Sequence, residues 1–398
     1  MPDRDARTTP VILAHDAADD LGPLTRLRSA ADVRTGALTA RERLRIGGFS
    51  RIVDAGPASG ALAEAAARAG ADEVIIVSSS ALLAPAALAA LEPGEAVREP
   101  GSGAPVAARL PAADAARFLE PGASWREADG PCLLRRPWDV VRFRDRTIAI
   151  DLSLLLRSAD RWARERPAGS IVIGEQRLAI EPSVSVTPGA VFDLQKGPVV
   201  VDAGAVVRPG AIICGPAYIG PGSTVLDRAL IKANTAIGPV CKVAGEVGGT
   251  IFQGLANKAH DGHLGDSWIG AWVNLGAGTT NSNLLNTYGE VAARRHASAP
   301  RERTGLTFLG AIIGDHVKTA IATRIFTGTV IDVGAMIAST APPPQAVPPF
   351  AWVTDSGIST FRIEKFLEVA RAAMSRRGAE LTPDEEDALR ALHREASA

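Results

Sequence analysis

Residues 201–243 read VDAGAVVRPGAIICGPAYIGPGSTVLDRALIKANTAIGPVCKV, and every sixth position of this stretch is Val or Ile. The unbroken series consists of Val201, Val207, Ile213, Ile219, Val225, Ile231, Ile237 and Val243. A second series follows at Ile313, Thr319, Ile325, Ile331 and Ile337. So strict a period of six indicates short strands that repeat and stack, because ordinary half-buried strands alternate with a period of two.

The physical basis of this period is a triangular coil. Three short strands joined by tight turns make one coil, and one β-branched residue per side points inward onto its copy in the next coil. Glycine allows the backbone angles of the corners. A β-sandwich would instead show turn signals every 8–12 residues or so. The sequence therefore predicts a parallel β-helix from about Val199 to Ile337. After Val243 the phase slips by two, and we expect Ile251, Ile269 and Leu275 to continue the inward series.

The segment 284–306 interrupts the repeat with the polar, basic sequence LLNTYGEVAARRHASAPRERTGL. Long excursions from repeats either are tolerated surface loops or carry binding and oligomer contacts. Because a single stack of coils has exposed flanks, we favour self-association, with this loop reaching a neighbouring copy.

The composition excludes several classes of protein. The 398 residues carry a formal net charge of −1, so no overall field favours nucleic acid or an anionic membrane. No apolar h-region begins the chain, and no apolar run approaches the length of about 18 residues that a membrane span needs. The widely spaced cysteines, Cys132, Cys214 and Cys241, indicate neither a disulfide framework nor a zinc knuckle. We expect a soluble cytoplasmic protein.

The chain divides into three predicted parts. Residues 1–165 alternate apolar runs (11–14 and 74–77) with alanine-rich helical stretches (60–70 and 81–94), which is typical of an α/β layer. Residues 166–340 form the β-helix, and residues 341–398 hold a proline-rich connection and C-terminal α-helices. Arg28 and Arg34 follow the first strand, where α/β sheets bind ligands, so they either grip a nucleotide or are a solvated basic helix start.

Two motifs point to a family. NKAHDGHLGD (residues 257–266) and NLGAGTTNSN (residues 274–283) resemble the acetyltransferase site of the bifunctional enzyme that makes UDP-N-acetylglucosamine. More closely, the chain resembles a sugar nucleotidyltransferase family related to that bifunctional N-acetylglucosamine-1-phosphate uridyltransferase/glucosamine-1-phosphate N-acetyltransferase. Segments 23–36, 136–139 and 376–378 fit this family too. The resemblance implies left-handed coils, a nucleotidyltransferase-like N-terminal domain and a homotrimer.

The resemblance also implies a site. It makes His260 the general base of acetyl transfer, and it assigns Asn274, Asn283 and Lys258 to binding of the sugar phosphate or acetyl-CoA. The chemistry is sound, because an amino sugar is largely protonated at neutral pH and a histidine can remove that proton. If the N-terminal domain is active, UTP and Mg²⁺ are its further substrates, with Arg28 and Arg34 at the nucleotide. No resident metal is expected.

The sequence departs from the bifunctional enzyme at several positions. His263 stands where that enzyme has tyrosine, and Gly248 and Thr307 stand where it has lysines that grip the sugar phosphate. The acceptor therefore need not be glucosamine 1-phosphate. The glycine-rich signature GxGTR and the catalytic lysine of nucleotidyltransferases are missing, and Arg28 and Arg34 are the candidate substitutes.

Two other functions fit parts of the sequence. His260, His263 and His316 could bind zinc between subunits, as in γ-type carbonic anhydrases, but that gives the asparagine-rich motif no role. A regulatory or assembly protein with a degenerate nucleotidyltransferase domain is the other alternative. Stepping by six from Ile251 makes His263 an inward, structural position and His260 a turn-side one, which favours His260 as the chemical residue.

Overall fold

The computed structural model describes residues 7–15, 21–58, 60–120, 125–159 and 166–397. The chain forms two compact units. The first comprises residues 1–20 and 28–136, and the second comprises residues 21–27 and 137–398. No helix within these described ranges is long and apolar enough to cross a membrane.

The first unit is an α/β domain around a mixed sheet. Its strands lie in the order Ile52–Asp54, Val11–Ala14, Glu73–Ser78, Pro105–Pro111, Ala96–Arg98 and Trp125–Glu127. The first three of these are parallel, whereas Pro105–Pro111 runs antiparallel to both of its neighbours. This confirms the predicted α/β layer, including both apolar runs as buried central strands.

Short helices cover this sheet. The α-helices are Ala40–Ile46, Ala61–Ala69 and Pro85–Ala89, and the 3₁₀ helices are Ala30–Asp32 and Ala112–Leu119. The helix Ala40–Ile46 begins with a capping box, in which the side chains of Thr39 and Glu42 each accept a backbone N–H of the other residue. Alanine spacing along Ala61–Ala69 buries Ala65 and Ala69 against the sheet.

The second unit is the left-handed parallel β-helix that the sequence predicts, and its strands stack into three faces. The first face contains Ile171–Ile173, Val191–Asp193, Ile212–Cys214, Leu230–Ile231, Glu246–Gly248 and His263–Gly265, and it continues through Thr280–Asn281 and Arg324–Ile325. The second face contains Leu178–Ile180, Val199–Val201, Ala217–Ile219, Thr235–Ile237, Ile251–Phe252, Trp268–Ile269, Ala311–Ile313, Thr329–Ile331 and Ala346–Val347.

The third face is divided by a short break. Its first part contains Ser185–Val186, Val206–Val207, Thr224–Val225, Lys242–Val243 and Asn257–Lys258, and its second part contains Lys318–Thr319, Met336–Ile337, Ala351–Thr354 and the antiparallel strand Gly357–Thr360. Asn274 bridges the two parts, because it pairs with Asn257 on one side and with Lys318 on the other.

The inward series is confirmed where the period is unbroken. All eight Val and Ile residues from Val201 to Val243 are fully buried in one core, and the second series from Ile313 to Ile337 is buried as well. The coils begin at Ile171, before the predicted repeat at Val199 but inside the predicted domain 166–340, and they continue to Thr354, beyond both predicted limits. Phe192, Leu194 and Ile180 fill the first coils, without the strict six-residue spacing.

The predicted phase after Val243 is confirmed at Ile269 and Leu275, which both join the core, but it is wrong by one residue at Ile251. Phe252, and not Ile251, pairs with Ile237 and joins the core. Only 15 residues separate Ile237 from Phe252 (252 − 237), instead of the 18 between Ile219 and Ile237 (237 − 219) in the preceding pair. Stepping by six from Phe252 makes Lys258 and Leu264 the inward positions. His263 therefore points outward, and its predicted structural role in the stack is incorrect.

Lys258 consequently lies inside the prism, in register with Val243. Its side chain is 2% exposed, and its Nζ donates to the carbonyl oxygens of Ala244 (3.2 Å), His260 (2.8 Å) and Asp261 (3.1 Å). Burial lowers the pKa of this lysine to about 8. The expectation that Lys258 binds substrate or acetyl-CoA is thus corrected, because its ammonium group lies inside the prism and donates to backbone carbonyl oxygens of neighbouring residues.

Helices and a hairpin complete the second unit. The α-helices Asp139–Arg142 and Arg144–Ser158 precede the first coil, and Ile363–Ser375 and Pro383–Ser397 follow the last one. The excursion at 284–306 forms the antiparallel pair Ala292–Ala293 with Glu302–Arg303. It is tied to its own chain, since Gln345 and Arg142 donate to carbonyls at Ala292 and Thr304. Its contact with a neighbouring copy stays a prediction.

The division between the units differs from the predicted one. Residue 165, the predicted boundary, lies outside the described residues, and the second unit already begins at Pro137. The reason is that helix Arg144–Ser158 packs on strand Val199–Val201, and Arg177 donates to the carbonyls at the end of that helix. The C-terminal helices also belong to this unit, through a core of Val333, Phe350 and Phe366.

The inward stack predicts a sharp contrast between two adjacent residues. Ile213 is 0% exposed and faces the prism interior, whereas Ile212 is 38% exposed and faces outward. We expect Ile213→Ala to cost about 2–5 kcal/mol, because it leaves a cavity among rigid neighbours. Ile212→Ala is the matched control and should cost less than about 1 kcal/mol. Thermal unfolding measures both, and equal losses would contradict the assignment of the two faces.

The buried lysine predicts a pH dependence. With a pKa of about 8 in the folded chain and 10.5 as the ordinary value, Lys258 binds more protons when unfolded between those pH values. Its contribution to stability therefore rises with pH across this window, by at most about 3 kcal/mol. We expect the melting temperature of the wild type, measured relative to that of Lys258→Met, to rise between pH 7 and pH 10. Lys365→Met, at an exposed position, is the control and should show no such change.

Candidate functional site

One corner of the β-helix separates two cavities of different character. The corner consists of residues 259–262, which join strand Asn257–Lys258 of the third face to strand His263–Gly265 of the first face. On the first face lies a cavity of about 430 Å³, here called the basic pocket. On the third face lies a groove of about 930 Å³, here called the cationic groove. His260 is exposed on the corner itself.

The basic pocket is built by outward side chains of successive coils. Strand pairing places Glu246 beside His263 on adjacent coils, with Lys232 one coil earlier. Lys196 and Arg144 add positive charge from outside this strand ladder, and Asn283 lines the pocket from the coil that follows. Lys196, Lys232 and Arg144 share the cavity with the carboxyl groups of Asp193 and Asp266, and these three cations are the groups that suit a small anionic ligand.

A carboxylate orients the histidine in the pocket. The Nδ1 of His263 lies 3.3 Å from Oε1 of Glu246, and the same oxygen accepts a hydrogen bond from Nζ of Lys232 at 2.5 Å. The hydrogen bond from Lys232 holds the pKa of Glu246 below its usual range, with the charge of Lys232 and the contact with His263 adding to this effect. Glu246 is therefore ionised at neutral pH, and it fixes the imidazole ring.

A second network closes the other side of the pocket. Nδ2 of Asn283 donates to Asp266 at 2.6 Å, and Nη1 of Arg144 donates to the same carboxyl group at 2.5 Å. Arg144 also donates to the carbonyl oxygen of Gly249 at 2.7 Å. Beneath this network, the buried Asn281 side chain exchanges hydrogen bonds with the backbone of Gly265. The side chains of the pocket are thus held in fixed positions before any ligand binds.

The cationic groove runs along the third face. Asn257, Asn274 and Lys318 form an outward column on successive coils, and Nδ2 of Asn257 donates to Oδ1 of Asn274 at 3.3 Å. Trp272 and His260 also line the groove. Thr319 and Val273 belong to its floor.

The structure separates the residues that the resemblance grouped into one site. His260 and Asn274 line the cationic groove, while Asn283 lines the basic pocket with His263. Within one chain, therefore, the predicted base and the two asparagines do not surround a single cleft. The physical reason is that Asn274 lies on the third face and Asn283 follows the strand Thr280–Asn281 of the first face.

The three histidines of the zinc-binding alternative are not brought together either. His316 is 5% exposed and lies among aromatic rings, 5.7 Å from Phe366 and 6.3 Å from Trp272 between centroids. It cannot face a cavity shared with His260 and His263. In the ranges that the structure describes, no group of three or more His, Cys, Asp or Glu side chains could hold a metal ion.

The arginines predicted to bind a nucleotide belong to the first unit. Arg34 is 3% exposed and pairs with Glu42 at 3.0 Å. Its guanidinium group therefore belongs to a buried ion pair and does not face a phosphate. Arg28 is half-buried near Asp32. Burial alone raises the pKa of Asp32, but hydrogen bonds from Arg41 and Ser29, and the charge of Arg28, bring it below its usual value. The acidic residues Asp16, Asp19 and Asp20 lie outside the described residues.

Several pocket residues were missed by the sequence analysis. Glu246 and Lys232 flank the inward residues Val247 and Ile231, so correct coil register would have placed them on one face. Arg144 gave no such signal, because it comes from a helix outside the repeat. His263 was assigned to the interior through the one-residue error in phase.

Comparison with known proteins finds a family model that matches the first part of the chain, and bifunctional enzymes that are similar to parts of it. The sugar nucleotidyl transferase family model matches residues 11–160. A bifunctional sugar-1-phosphate nucleotidylyltransferase/acetyltransferase of Sulfurisphaera tokodaii is 33% identical over 208 residues, which is 51% of this chain and 43% of that protein. The bifunctional protein GlmU of a Nostoc species is 27% identical over 182 residues, which is 40% of this chain and 39% of that protein.

Among solved structures, an Arabidopsis UDP-N-acetylglucosamine acyltransferase is 15% identical with a TM-score of 0.30, over 54% of this chain and 80% of that one. We draw nothing further from a likeness at that level. The chain spans less than half the length of the curated relatives that it matches. It is thus similar, at modest identity, to sugar nucleotidyl transferases in its first part and to bifunctional nucleotidylyltransferase/acetyltransferases.

Proposed function

We propose that the β-helix transfers an acetyl group from acetyl-CoA to the amino group of a sugar phosphate, in sugar-nucleotide biosynthesis of the UDP-N-acetylglucosamine type. One observation carries the proposal. The pocket that contains Lys196, Lys232 and Arg144 and the cationic groove lie on the two sides of one corner, and the exposed His260 lies on that corner. An acceptor in the pocket and a thioester in the groove would approach each other there.

The acceptor belongs in the basic pocket because its phosphate needs positive charge. Lys196 and Lys232 are flexible ammonium groups at the pocket wall, and Arg144 adds a guanidinium group. These groups take the place of the lysines that the resemblance expects at Gly248 and Thr307. Asn283, held by Asp266, and His263, held by Glu246, are placed to hydrogen-bond hydroxyl groups of the sugar.

The reaction needs a base and a place for negative charge. The amine binds largely as an ammonium ion, and His260 takes one proton from it. The neutral nitrogen then attacks the thioester carbonyl carbon, and a tetrahedral oxyanion forms. The side-chain amide N–H groups of Asn274, which lines the same groove as His260, stabilise this oxyanion. The oxyanion then collapses to the carbonyl and the C–S bond breaks, while a second proton passes from the positively charged nitrogen to the departing sulfur, so that the amide is formed and CoA leaves as the thiol.

We propose a homotrimer as the working assembly. The groove and the pocket lie on different faces, so a neighbouring prism can bring the groove of one copy to the pocket of another. Exposed apolar side chains on the later coils, Phe308, Ile321 and Phe326, support packing against a second copy. Sedimentation equilibrium on the full chain measures this directly, and a monomer at micromolar concentration would rule the trimer out.

For the first unit, the family match favours a second candidate function, sugar-1-phosphate nucleotidyl transfer with UTP and Mg²⁺. The buried, paired Arg34 is not available for this role, and Arg28 is the remaining candidate of the two predicted arginines. Release of pyrophosphate from UTP and a sugar 1-phosphate would test it. A protein that binds UTP without releasing pyrophosphate would instead fit the regulatory alternative.

We expect substitutions of His260 and His263 to have different kinetic effects. We expect His260→Ala to lower kcat by about 10²–10⁴-fold, because the ammonium group of the acceptor then lacks its base. His263→Gln is the matched variant, and it should mainly raise KM for the acceptor. Thiol release from acetyl-CoA, assayed with a panel of amino-sugar phosphates, measures both. If His263→Gln abolishes kcat while His260→Ala leaves it unchanged, the assignment of the base is wrong.

A further inference from the structure

We propose that Arg377 and Asn257 are positioning residues, which act through a relay of hydrogen bonds to fix the side-chain amide of Asn274. In this relay the oxygen of the Asn274 amide faces Asn257, and its N–H groups face the cationic groove, where an oxyanion would form. The inference rests on the proposed acyl transfer, and it gives the two positioning residues a role that needs no contact with either substrate. It concerns the end of the groove next to His260.

The two ends of an amide side chain have opposite chemistry. The oxygen of asparagine accepts hydrogen bonds, whereas its nitrogen donates two, and both ends have nearly the same size. Shape therefore does not decide which end of Asn274 faces a ligand, and the hydrogen bonds around the side chain must do so. A developing oxyanion needs the N–H end, because the oxygen end would repel its negative charge.

Arg377 sets the direction of the relay, because a guanidinium group has only donors. Its Nη2 lies 2.7 Å from Oδ1 of Asn257, so the Asn257 amide turns its oxygen toward the arginine. Its Nη1 donates to the backbone carbonyl oxygen of Val240, and this second bond fixes the plane of the guanidinium group. Arg377 is half-buried just after the helix Ile363–Ser375, which packs on the β-helix through Phe366. The first donor of the relay is therefore held by tertiary structure.

The relay continues from Asn257 to Asn274 on the next coil. Because its oxygen is engaged by Arg377, Asn257 presents its N–H groups to this coil, and its Nδ2 donates to Oδ1 of Asn274 at 3.3 Å. Asn274 is exposed, and its own Nδ2 makes no hydrogen bond to any residue within the described ranges. The N–H end of this amide is therefore left for a ligand in the cationic groove.

The coil that follows does not oppose this orientation. Lys318 pairs with Asn274 on its other side, and an ammonium group there could attract the amide oxygen. The Nζ of Lys318 instead donates to the carbonyl oxygens of Trp272 at 2.5 Å and His316 at 3.3 Å. The side chains of Arg377 and Asn257 therefore determine which end of the Asn274 amide faces the groove.

One short strand positions both groups of the proposed reaction. Asn257 faces outward and orients the amide of Asn274, whereas Lys258 faces inward and its Nζ donates to the carbonyl oxygen of His260 at 2.8 Å. Adjacent residues of this strand thus restrain the base and the group that stabilises the oxyanion. Groups fixed in this way need no reorganisation when charge develops in the transition state.

The test inverts the relay while keeping its shape. In Asn257→Asp both terminal atoms accept hydrogen bonds, so the carboxylate keeps its bond from Arg377 and turns the N–H end of Asn274 toward itself. We expect kcat to fall by about 10²–10³-fold, as when an oxyanion donor is lost, while KM for acetyl-CoA changes by less than about threefold. Asn257→Ala frees the Asn274 amide without inverting it, and it should lower kcat only about tenfold.

Two controls separate the relay from a simple effect of charge. Lys242→Gln makes the same change of net charge one coil earlier in the same column, outside the relay, and should leave kcat within about threefold of wild type. In an Asn274→Ala background, Asn257→Asp and Arg377→Met should cause no further loss of kcat, because both act only through that amide. A further loss in this background, or an Asn257→Ala variant slower than Asn257→Asp, would overturn the inference.

Neutron diffraction from crystals of the full chain in D₂O gives a readout that does not depend on activity, because it locates the deuterium atoms of both amides. We expect those of Asn274 to face the groove, and deuterium atoms of Asn274 directed at Asn257 would show that the relay is wrong. If they face the groove but no amino-sugar phosphate is acylated, the relay stands and the proposed reaction fails. If an acceptor is acylated and Asn257→Asp keeps the kcat of wild type, the reaction stands and the relay is wrong.

Discussion

The narrowness of the triangular prism governs the second unit. Most sides of a coil hold one large inward side chain, with a small residue such as Ala205, Ala211 or Ala217 two positions before it, and each large side chain packs on the equivalent residue of the coils above and below. The run of fully buried Val and Ile residues from Val201 to Val243 follows from this restriction. Because adjacent residues of a short strand point in opposite directions, fixing the inward residue also fixes which neighbours face solvent. The cavities described above are composed of these neighbours.

The fold could be predicted from the sequence because the repeat encodes it directly. A period of six over eight successive positions leaves no room for another architecture, and the alternation of strands and helices in residues 11–78 was equally plain. The boundaries of the two units were harder to predict from the sequence. Helix Arg144–Ser158 joins the β-helix through tertiary contacts to Val199–Val201, and no local pattern records such contacts.

The candidate site could be predicted only in part. The motifs directed attention to residues 257–266 and 274–283, but a coil shortened to 15 residues displaced the count of inward positions by one. That single step exchanged the environments of His263 and Lys258, because neighbouring positions on a strand have opposite surroundings. Charge pairing across coils, as between Glu246 and Lys232, depends on the same register.

The clamp made by Lys258 has a consequence for the chemistry of the corner. Its ammonium group bonds to the backbone carbonyl oxygens of His260 and Asp261, the two residues that project from the turn. The buried ammonium group of Lys258 therefore restrains the backbone of the turn that carries the exposed imidazole of His260. The same lysine that a motif comparison would assign to a ligand sets the rigidity of the turn. Loss of these hydrogen bonds would leave the His260 side chain intact but would make its position less well defined.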